Sequence, residues 1–230
     1  MILFQTIGRP FESLRDWVAG GVARLGVHPN VLTALGLPVH VAVGALFATG
    51  HLLAAALGIL AGAACDMLDG AVARVSGKVT KAGAVLDSTI DRYSDAAVFG
   101  GVMVWCLRAG NGVAATLAGS ALVGAFAVSY IRARAECVIE RCKVGFFERP
   151  ERLACLLVGA LFGNLVTALW ILGIGVHWTA AGRLTHALRT LRGRGENGGF
   201  LYRLFIWDFD RGSLAFDLLA SALALACILL

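Results

Sequence analysis

The sequence predicts an all-α integral membrane protein, a bundle of transmembrane helices, and three observations predict it. Of the 230 residues, 58% are hydrophobic and only 15% are charged. A soluble domain of this size cannot hide so much apolar side chain and still present a wettable surface. Apolar stretches also recur at lengths of about 20 residues, enough for a helix to cross a hydrocarbon core of about 30 Å. Third, these runs are unbroken and lack the two-residue alternation of barrel strands. A backbone in lipid must satisfy its own hydrogen bonds, so a helix bundle is the fold that remains. The 29 glycines suit it, because small residues let helices approach closely where no hydrophobic effect drives them together.

In chain order, residues 1–24 hold no uninterrupted apolar core and carry Arg9, Glu12, Arg15 and Asp16, so they do not read as a signal peptide. Residues 10–25 are expected to form an amphipathic helix on the membrane surface, within an N-terminal segment 1–28. The first apolar segment runs over 31–49 and closes at Gly50-His51. The second, 52–75, carries Asp66 and Asp69 near its far end, and a short basic loop follows at 76–81. The third, 82–107, carries Asp87, Asp91 and Asp95 in its first half. Asn111-Gly112 breaks the chain before a fourth segment, 113–130, which is expected to continue as a polar helix to about Cys142. A fifth segment occupies 150–163, and a sixth begins at 165 and reaches 178 or as far as 192. The expectation is six transmembrane helices in one domain, 29–192. The C-terminal extension, 193–230, comprises a polar linker, an aromatic interfacial stretch at 200–210 and an apolar stretch at 213–230. That last stretch is barely long enough to span, and a seventh helix or a segment lying against the bundle both stay open.

Lysine and arginine set the expected topology, because cytosolic connections carry the positive excess. Arg9, Arg15 and Arg24 precede the first segment, and Arg74, Lys78 and Lys81 surround the second connection. Arg132, Arg134, Arg141, Lys143, Arg149 and Arg152 fill the fourth, and Arg183, Arg189, Arg192 and Arg194 follow the sixth. Only Arg108 falls on the other side. Both ends of the six-helix core are therefore expected in the cytosol of a cytoplasmic-membrane protein. The formal charge of +5 reflects this bias and implies no nucleic-acid partner. Basic residues 189–194 are expected to meet anionic headgroups, and Trp170 and Trp178 to anchor at the interface. The six cysteines show no metal-ligand spacing and read as reduced, structural residues.

Five of the nine aspartates lie between positions 66 and 95, inside apolar segments. An acid near the bilayer interior costs about 2.5–3.5 kcal/mol or more, so a cluster needs a cation, a proton or a polar cavity to offset it. Asp66 and Asp69 are three apart and Asp87 and Asp91 four apart, so each pair shares one helix face. The short loop between the segments lets those faces meet. Four carboxylates make an oxygen-only site, which favours a hard cation, Mg²⁺ or Mn²⁺, over zinc.

The spacing Asp66-x2-Asp69-Gly70-x2-Ala73-Arg74-x8-Gly83-x3-Asp87-x3-Asp91 resembles the signature of the CDP-alcohol phosphotransferase family, with every interval kept. The resemblance implies that Asp66, Asp69, Asp87 and Asp91 bind two metal ions, Mg²⁺ or Mn²⁺. It implies that Asp91 is also the base for the attacking hydroxyl, and that Gly70, Arg74 and Gly83 line the CDP pocket. Small residues at 70, 73 and 83 leave room for a nucleotide against helix backbone, and Arg74 offers paired donors to a pyrophosphate. The family also suggests a homodimer.

Outside the signature, Ser129-Tyr130-Ile131-Arg132-Ala133-Arg134-Ala135-Glu136 and Glu148-Arg149-Pro150-Glu151-Arg152 resemble segments of the phosphatidylinositol-phosphate and archaetidylinositol-phosphate synthase branch. Thr179 and Arg183 resemble its T-x3-R element, and Pro29-Asn30-Val31-Leu32-Thr33 the PNxxT start of its first helix. The implied reaction transfers a phosphatidyl-type group from a CDP-linked lipid, CDP-diacylglycerol or CDP-archaeol, to inositol 1-phosphate with release of CMP. Ser129, Arg132 and Arg183 are the implied contacts to the acceptor's phosphate. A sister enzyme using glycerol 3-phosphate, serine or another alcohol is the nearest alternative, and a divalent-cation carrier is the alternative of another class. Four side chains read more plainly: His40 as an interhelical hydrogen bond, Asp95 as a helper hydrogen-bonded near Arg92 and Tyr93, and Arg149 and Arg152 as topology charges or guides for the acceptor.

Overall fold

Helices begin where the sequence offers caps and prolines and stop where it offers glycines. The computed structural model describes residues 15–193, 200–209 and 213–229, and no strand occurs among them. The chain forms two compact units, Met1–Trp105 and Cys106–Leu230.

In the first unit, helix α1 covers 15–24. Helix α2, Pro29–Ala48, starts with proline at its first position, where the missing N–H costs nothing. The Nδ1 of His28 caps it, accepting from the amide of Asn30 at 3.3 Å. Gly50, at φ +83°, turns the chain into α3, Leu52–Val75. Helix α4, Lys81–Arg108, opens on Thr80, whose hydroxyl accepts from the amide of Gly83 at 3.0 Å. The core between α2 and α3 is built from Val43, Phe47, Ala55, Ala56 and Ile59. Helices α2 and α4 cross so closely at Gly44, Ala97 and Gly101 that a Cβ on either glycine would strike the other helix's backbone. In a bundle held by packing, that contact is where small residues are needed.

Helix α1 docks through Ala19, fully buried against Ala71 and Val72 of α3, while Trp17 and Leu25 stay exposed. Residues 10–14 of the expected amphipathic helix lie outside the described residues.

The second unit contains α5, Gly112–Ala135; α6, Arg149–Leu161; α7, Leu165–Leu191; α8, Phe200–Ile206; and α9, Leu214–Leu229. Helix α7 is its most buried element, and α5 packs on it with Gly124 facing Val176 and Gly173 facing Leu117. Helix α5 ends at Ala135, earlier than the polar extension to Cys142 expected from the sequence. The Glu136 carboxylate accepts from Arg132 Nε at 3.0 Å and from the Cys142 amide at 3.4 Å, which folds the chain back on itself. That reversal buries Ile139 and Cys142 against Ala135 and Ala187, burial that a helix running straight on would forgo.

Among the described residues four helices are long and apolar enough to cross a membrane: α2, α3, α5 and α7. Six were expected. Helix α4 has the length, 28 residues, but carries Asp87, Asp91, Arg92 and Asp95. Helix α6 has 13 residues, about 20 Å at 1.5 Å per residue, and α9 has 16.

Cys142 and Cys137 differ in a way that labelling reads directly. Burial pushes the Cys142 thiol up from its ordinary range, so it stays a protonated thiol at neutral pH, whereas Cys137 is exposed. N-ethylmaleimide is expected to modify Cys137 at least tenfold faster than Cys142, as peptide mass spectrometry of the folded protein will show. Equal rates would place residues 136–142 outside the packing described.

Candidate active site

The four signature aspartates all belong to the first unit. Asp66 and Asp69 project from the second half of α3, and Asp87 and Asp91 from the first half of α4, one helical turn apart within each pair. Asp69 is the most buried, at 6% exposure, with the Thr33 hydroxyl of α2 and the carboxylates of Asp87 and Asp66 as its polar neighbours. Its Oδ2 is buried and has no hydrogen-bond partner. A buried carboxylate oxygen left unmatched is costly, and a cation would satisfy it.

Asp66 sits between two α2 residues. A Cβ on Gly36 would come within 3.2 Å of Asp66 Oδ1, so glycine is what admits the carboxylate there. The fully buried His40 places its Nε2 3.9 Å from Asp66 Oδ2, while its Nδ1 hydrogen-bonds with the Gly36 carbonyl oxygen at 2.8 Å. His40 was expected to make an interhelical hydrogen bond; its 2.8 Å bond lies within its own helix, and the signature acid Asp66 stands just beyond hydrogen-bond distance. Asp91, at 21% side-chain exposure, lies 3.6 Å from Arg92 Nη2. Asp95 is buried on the same helix.

The residues expected to line a CDP pocket surround this group. Arg74 folds back over Gly70, where a Cβ would meet its Nη1 at 3.4 Å. A Cβ on Gly83 would press on Thr80 Oγ1 and on Asn30 Oδ1 of α2. The donor set, carboxylate oxygens with one buried orphan, fits a hard divalent cation. Among the described residues no three metal-ligating side chains gather around one point, so the acids are neighbours rather than a closed cage.

The three residues expected at the acceptor phosphate belong to the second unit. Arg183 is 2% exposed, and each of its three nitrogens donates to a protein oxygen. Nε reaches Val144 O at 2.8 Å, Nη1 reaches Val128 O at 2.9 Å, and Nη2 reaches Glu148 Oε1 at 2.7 Å. Each terminal nitrogen has a second N–H that these bonds do not use. Arg132, at 40% side-chain exposure, shares the same Glu148 oxygen at 3.6 Å. Ser129 donates its hydroxyl to Ala125 O at 3.1 Å, leaving the oxygen's lone pairs. Arg152 is buried and donates from Nη1 to Phe147 O at 3.1 Å, a scaffold contact rather than a topology charge at the surface.

Thr33, Gly36 and His40 are the site residues that the signature does not contain. Thr33 was visible only as part of the PNxxT start, and Gly36 and His40 had no signal beyond small and polar residues one turn apart on one helix.

Comparison with known proteins fixes the class. The CDP-alcohol phosphatidyltransferase family matches residues 26–184. The phosphatidylinositol phosphate synthase of Mycobacteroides abscessus is 40% identical over 195 residues, covering 80% of this chain and 87% of that protein. The Mycobacterium tuberculosis protein of the same name is 42% identical over 188 residues, covering 76% and 85%. A crystal structure of the latter with CDP-DAG bound superposes with a TM-score of 0.71 at 37% identity, covering 76% of this chain and 94% of that one. Another, in complex with manganese and citrate, gives 0.69 at 37% identity, covering 76% and 88%. The chain belongs to the CDP-alcohol phosphatidyltransferase family. It is a transferase of phospholipid synthesis, and the cation-carrier alternative falls away.

Proposed function

We propose that this enzyme transfers a phosphatidyl-type group from a CDP-linked lipid to inositol 1-phosphate and releases CMP. The observation that carries the reading is the complete aspartate signature set on α3 and α4, with a buried, unmatched Asp69 oxygen, in a chain about 40% identical to phosphatidylinositol phosphate synthases. The relative with CDP-DAG bound supports a CDP-lipid donor, and the one with manganese supports a divalent cation.

In this reading Asp66, Asp69, Asp87 and Asp91 hold two Mg²⁺ or Mn²⁺ ions, which supply electrostatic stabilisation of the charge developing on the pyrophosphate. Arg74 binds the pyrophosphate from beside Gly70, and Gly70 and Gly83 leave backbone open to the nucleotide. Asp91 accepts the proton of the attacking hydroxyl as that oxygen bonds to the β-phosphorus and the bond to CMP breaks. Gly36 and Thr33 keep Asp66 and Asp69 in place from α2. Arg132 and Ser129 contact the acceptor's phosphate. Arg183 adds its remaining N–H groups and holds the Glu148 carboxylate that Arg132 shares. Holding both substrates in line supplies much of the remaining rate.

The same reading places the enzyme in the cytoplasmic membrane as a homodimer, with helices α2–α7 as six crossings and α1 at the interface. It faces the site to the cytosol, where the arginines cluster.

The test is CMP release by purified protein with Mg²⁺ and CDP-diacylglycerol, across inositol 1-phosphate, glycerol 3-phosphate, inositol and serine. Release is expected with inositol 1-phosphate at least tenfold above the others. Preference for another alcohol would keep the donor chemistry and remove Arg132 and Ser129 from the acceptor assignment. Silence with all four, repeated with CDP-archaeol, would overturn the reading.

A further inference from the structure

The second unit holds a cavity of about 530 Å³ whose wall includes Val144 and Glu148, the two turn residues that Arg183 binds. Ser129, Arg132 and Arg183 do not line it. Half of its wall comes from the turn between α5 and α6, and the other half from the end of α7 and the segment around α8 and α9. His186, Trp207, Asp208, Phe209 and Phe216 all lie beyond residue 184, where the family match ends.

The C-terminal segment is firmly seated. Ile206 is buried against Gly182, and Trp178 Nε1 donates to Phe205 O at 2.7 Å. The Gly145 amide donates to Trp207 O at 3.3 Å, and the rings of Phe146 and Trp207 meet edge to face at 5.6 Å. Trp207 adopts φ +52°, the one non-glycine residue in the left-handed region among the described residues. A bulky residue held there costs about 1 kcal/mol or more, so the surrounding contacts dictate where the indole lies.

The chemistry of the wall is unbalanced in one direction. Arg141 and Lys143 contribute two cations with no ion-pair partner among the described residues. His186 is more than nine-tenths buried, and its Nδ1 has no hydrogen-bond partner. The Trp207 Nε1 is likewise buried and has nothing to donate to. Opposing them, the wall holds two acids, Asp208 and Glu148, the latter engaged by Arg183 at 2.7 Å and Arg132 at 3.6 Å. Buried donors without acceptors are uncommon and call for a partner. Two cations, an indole N–H and an imidazole suit an anion with several oxygens, and Phe146, Phe209 and Phe216 offer apolar surface to its carbon part.

We propose that this cavity is a second ligand site, lined by none of the signature aspartates nor by Ser129, Arg132 or Arg183, which binds a phosphate ester through Arg141, Lys143, Trp207 and His186. The ester is either a soluble phosphorylated polyol or the headgroup of an anionic phospholipid.

The full chain in phosphatidylcholine nanodiscs, with EDTA present to silence metal-held phosphate, tests this in two arms. Inorganic phosphate and glycerol 3-phosphate are titrated by calorimetry in the first. In the second, phosphatidic acid is included in the nanodisc and lipid retained on the protein is counted by native mass spectrometry. Saturable binding is expected in at least one arm, weakened at least tenfold by Arg141→Gln with Lys143→Gln and at least threefold by Trp207→Phe. Arg141 and Lys143 are exposed, so the double variant keeps the fold, and Trp207→Phe keeps the ring while deleting the donor. Binding in the first arm alone identifies a soluble ester, and in the second alone a lipid headgroup. No saturable binding in either arm overturns the proposal. So does binding that survives the double variant, or binding that falls with charge but ignores Trp207→Phe, which is diffuse attraction rather than a built site.

Discussion

Asp91→Asn is expected to reduce turnover by about 10²–10⁴-fold, the range a positioned general base contributes. The substitution keeps size and hydrogen-bonding capacity and removes basicity, so its effect falls on proton transfer. Asp91 is suited to that role: it is the last acid of the signature, its side chain is about one-fifth exposed, and Arg92 stands 3.6 Å away. CMP release will read kcat, and equilibrium binding of the CDP-lipid will read the ground state. Binding within a few-fold of the parent is expected. A parallel loss of CDP-lipid binding would make Asp91 chiefly a metal ligand, and an unchanged kcat would remove it from the chemistry altogether.

Arg183→Ala is expected to destabilise the folded protein by about 3–5 kcal/mol, the cost of breaking one side of a buried ion pair. The guanidinium satisfies Val144 O, Val128 O and Glu148 together, so its loss strands three acceptors, one on α5 and two on the α5–α6 turn. Unfolding in detergent, followed by intrinsic fluorescence, checks the magnitude. Glu148→Gln should destabilise less, because an amide still accepts from Nη2. The double variant should fall short of the sum by about 1 kcal/mol or more, as expected for residues in one network. An Arg183→Ala protein of parental stability with a raised acceptor KM would assign the side chain to the ligand instead of the scaffold.

Much of the first unit was legible because its information is local. Apolar run length located α2 and α3, Gly50 and the 76–81 loop ended them, and the three- and four-residue intervals put each aspartate pair on one face. The α2 contribution was not legible in the same way. Thr33, Gly36 and His40 lie some thirty residues from Asp66 and Asp69, and only the rotation of α2 against α3 brings Gly36 beside Asp66. A polar residue in an apolar helix announces that it needs a partner, but spacing does not say which helix supplies it.

The sequence by itself determined the helical class, the places where helices start, and the acidic and small-residue pattern of the transferase signature. These depend on capping, periodicity and hydrophobic length, which act within a few residues. Tertiary structure alone decided three things: that α5 stops at Ala135 and the chain folds over Cys142, that Arg183 spends its nitrogens on Val144, Val128 and Glu148, and that Trp207 and Phe216 come to rest against Phe146 of the α5–α6 turn. The last two join segments separated by tens of residues, and the first rests on packing against the distant Ala187. Such contacts form because a buried donor or aromatic ring must find its complement somewhere in the folded chain, and no local pattern names where that complement lies.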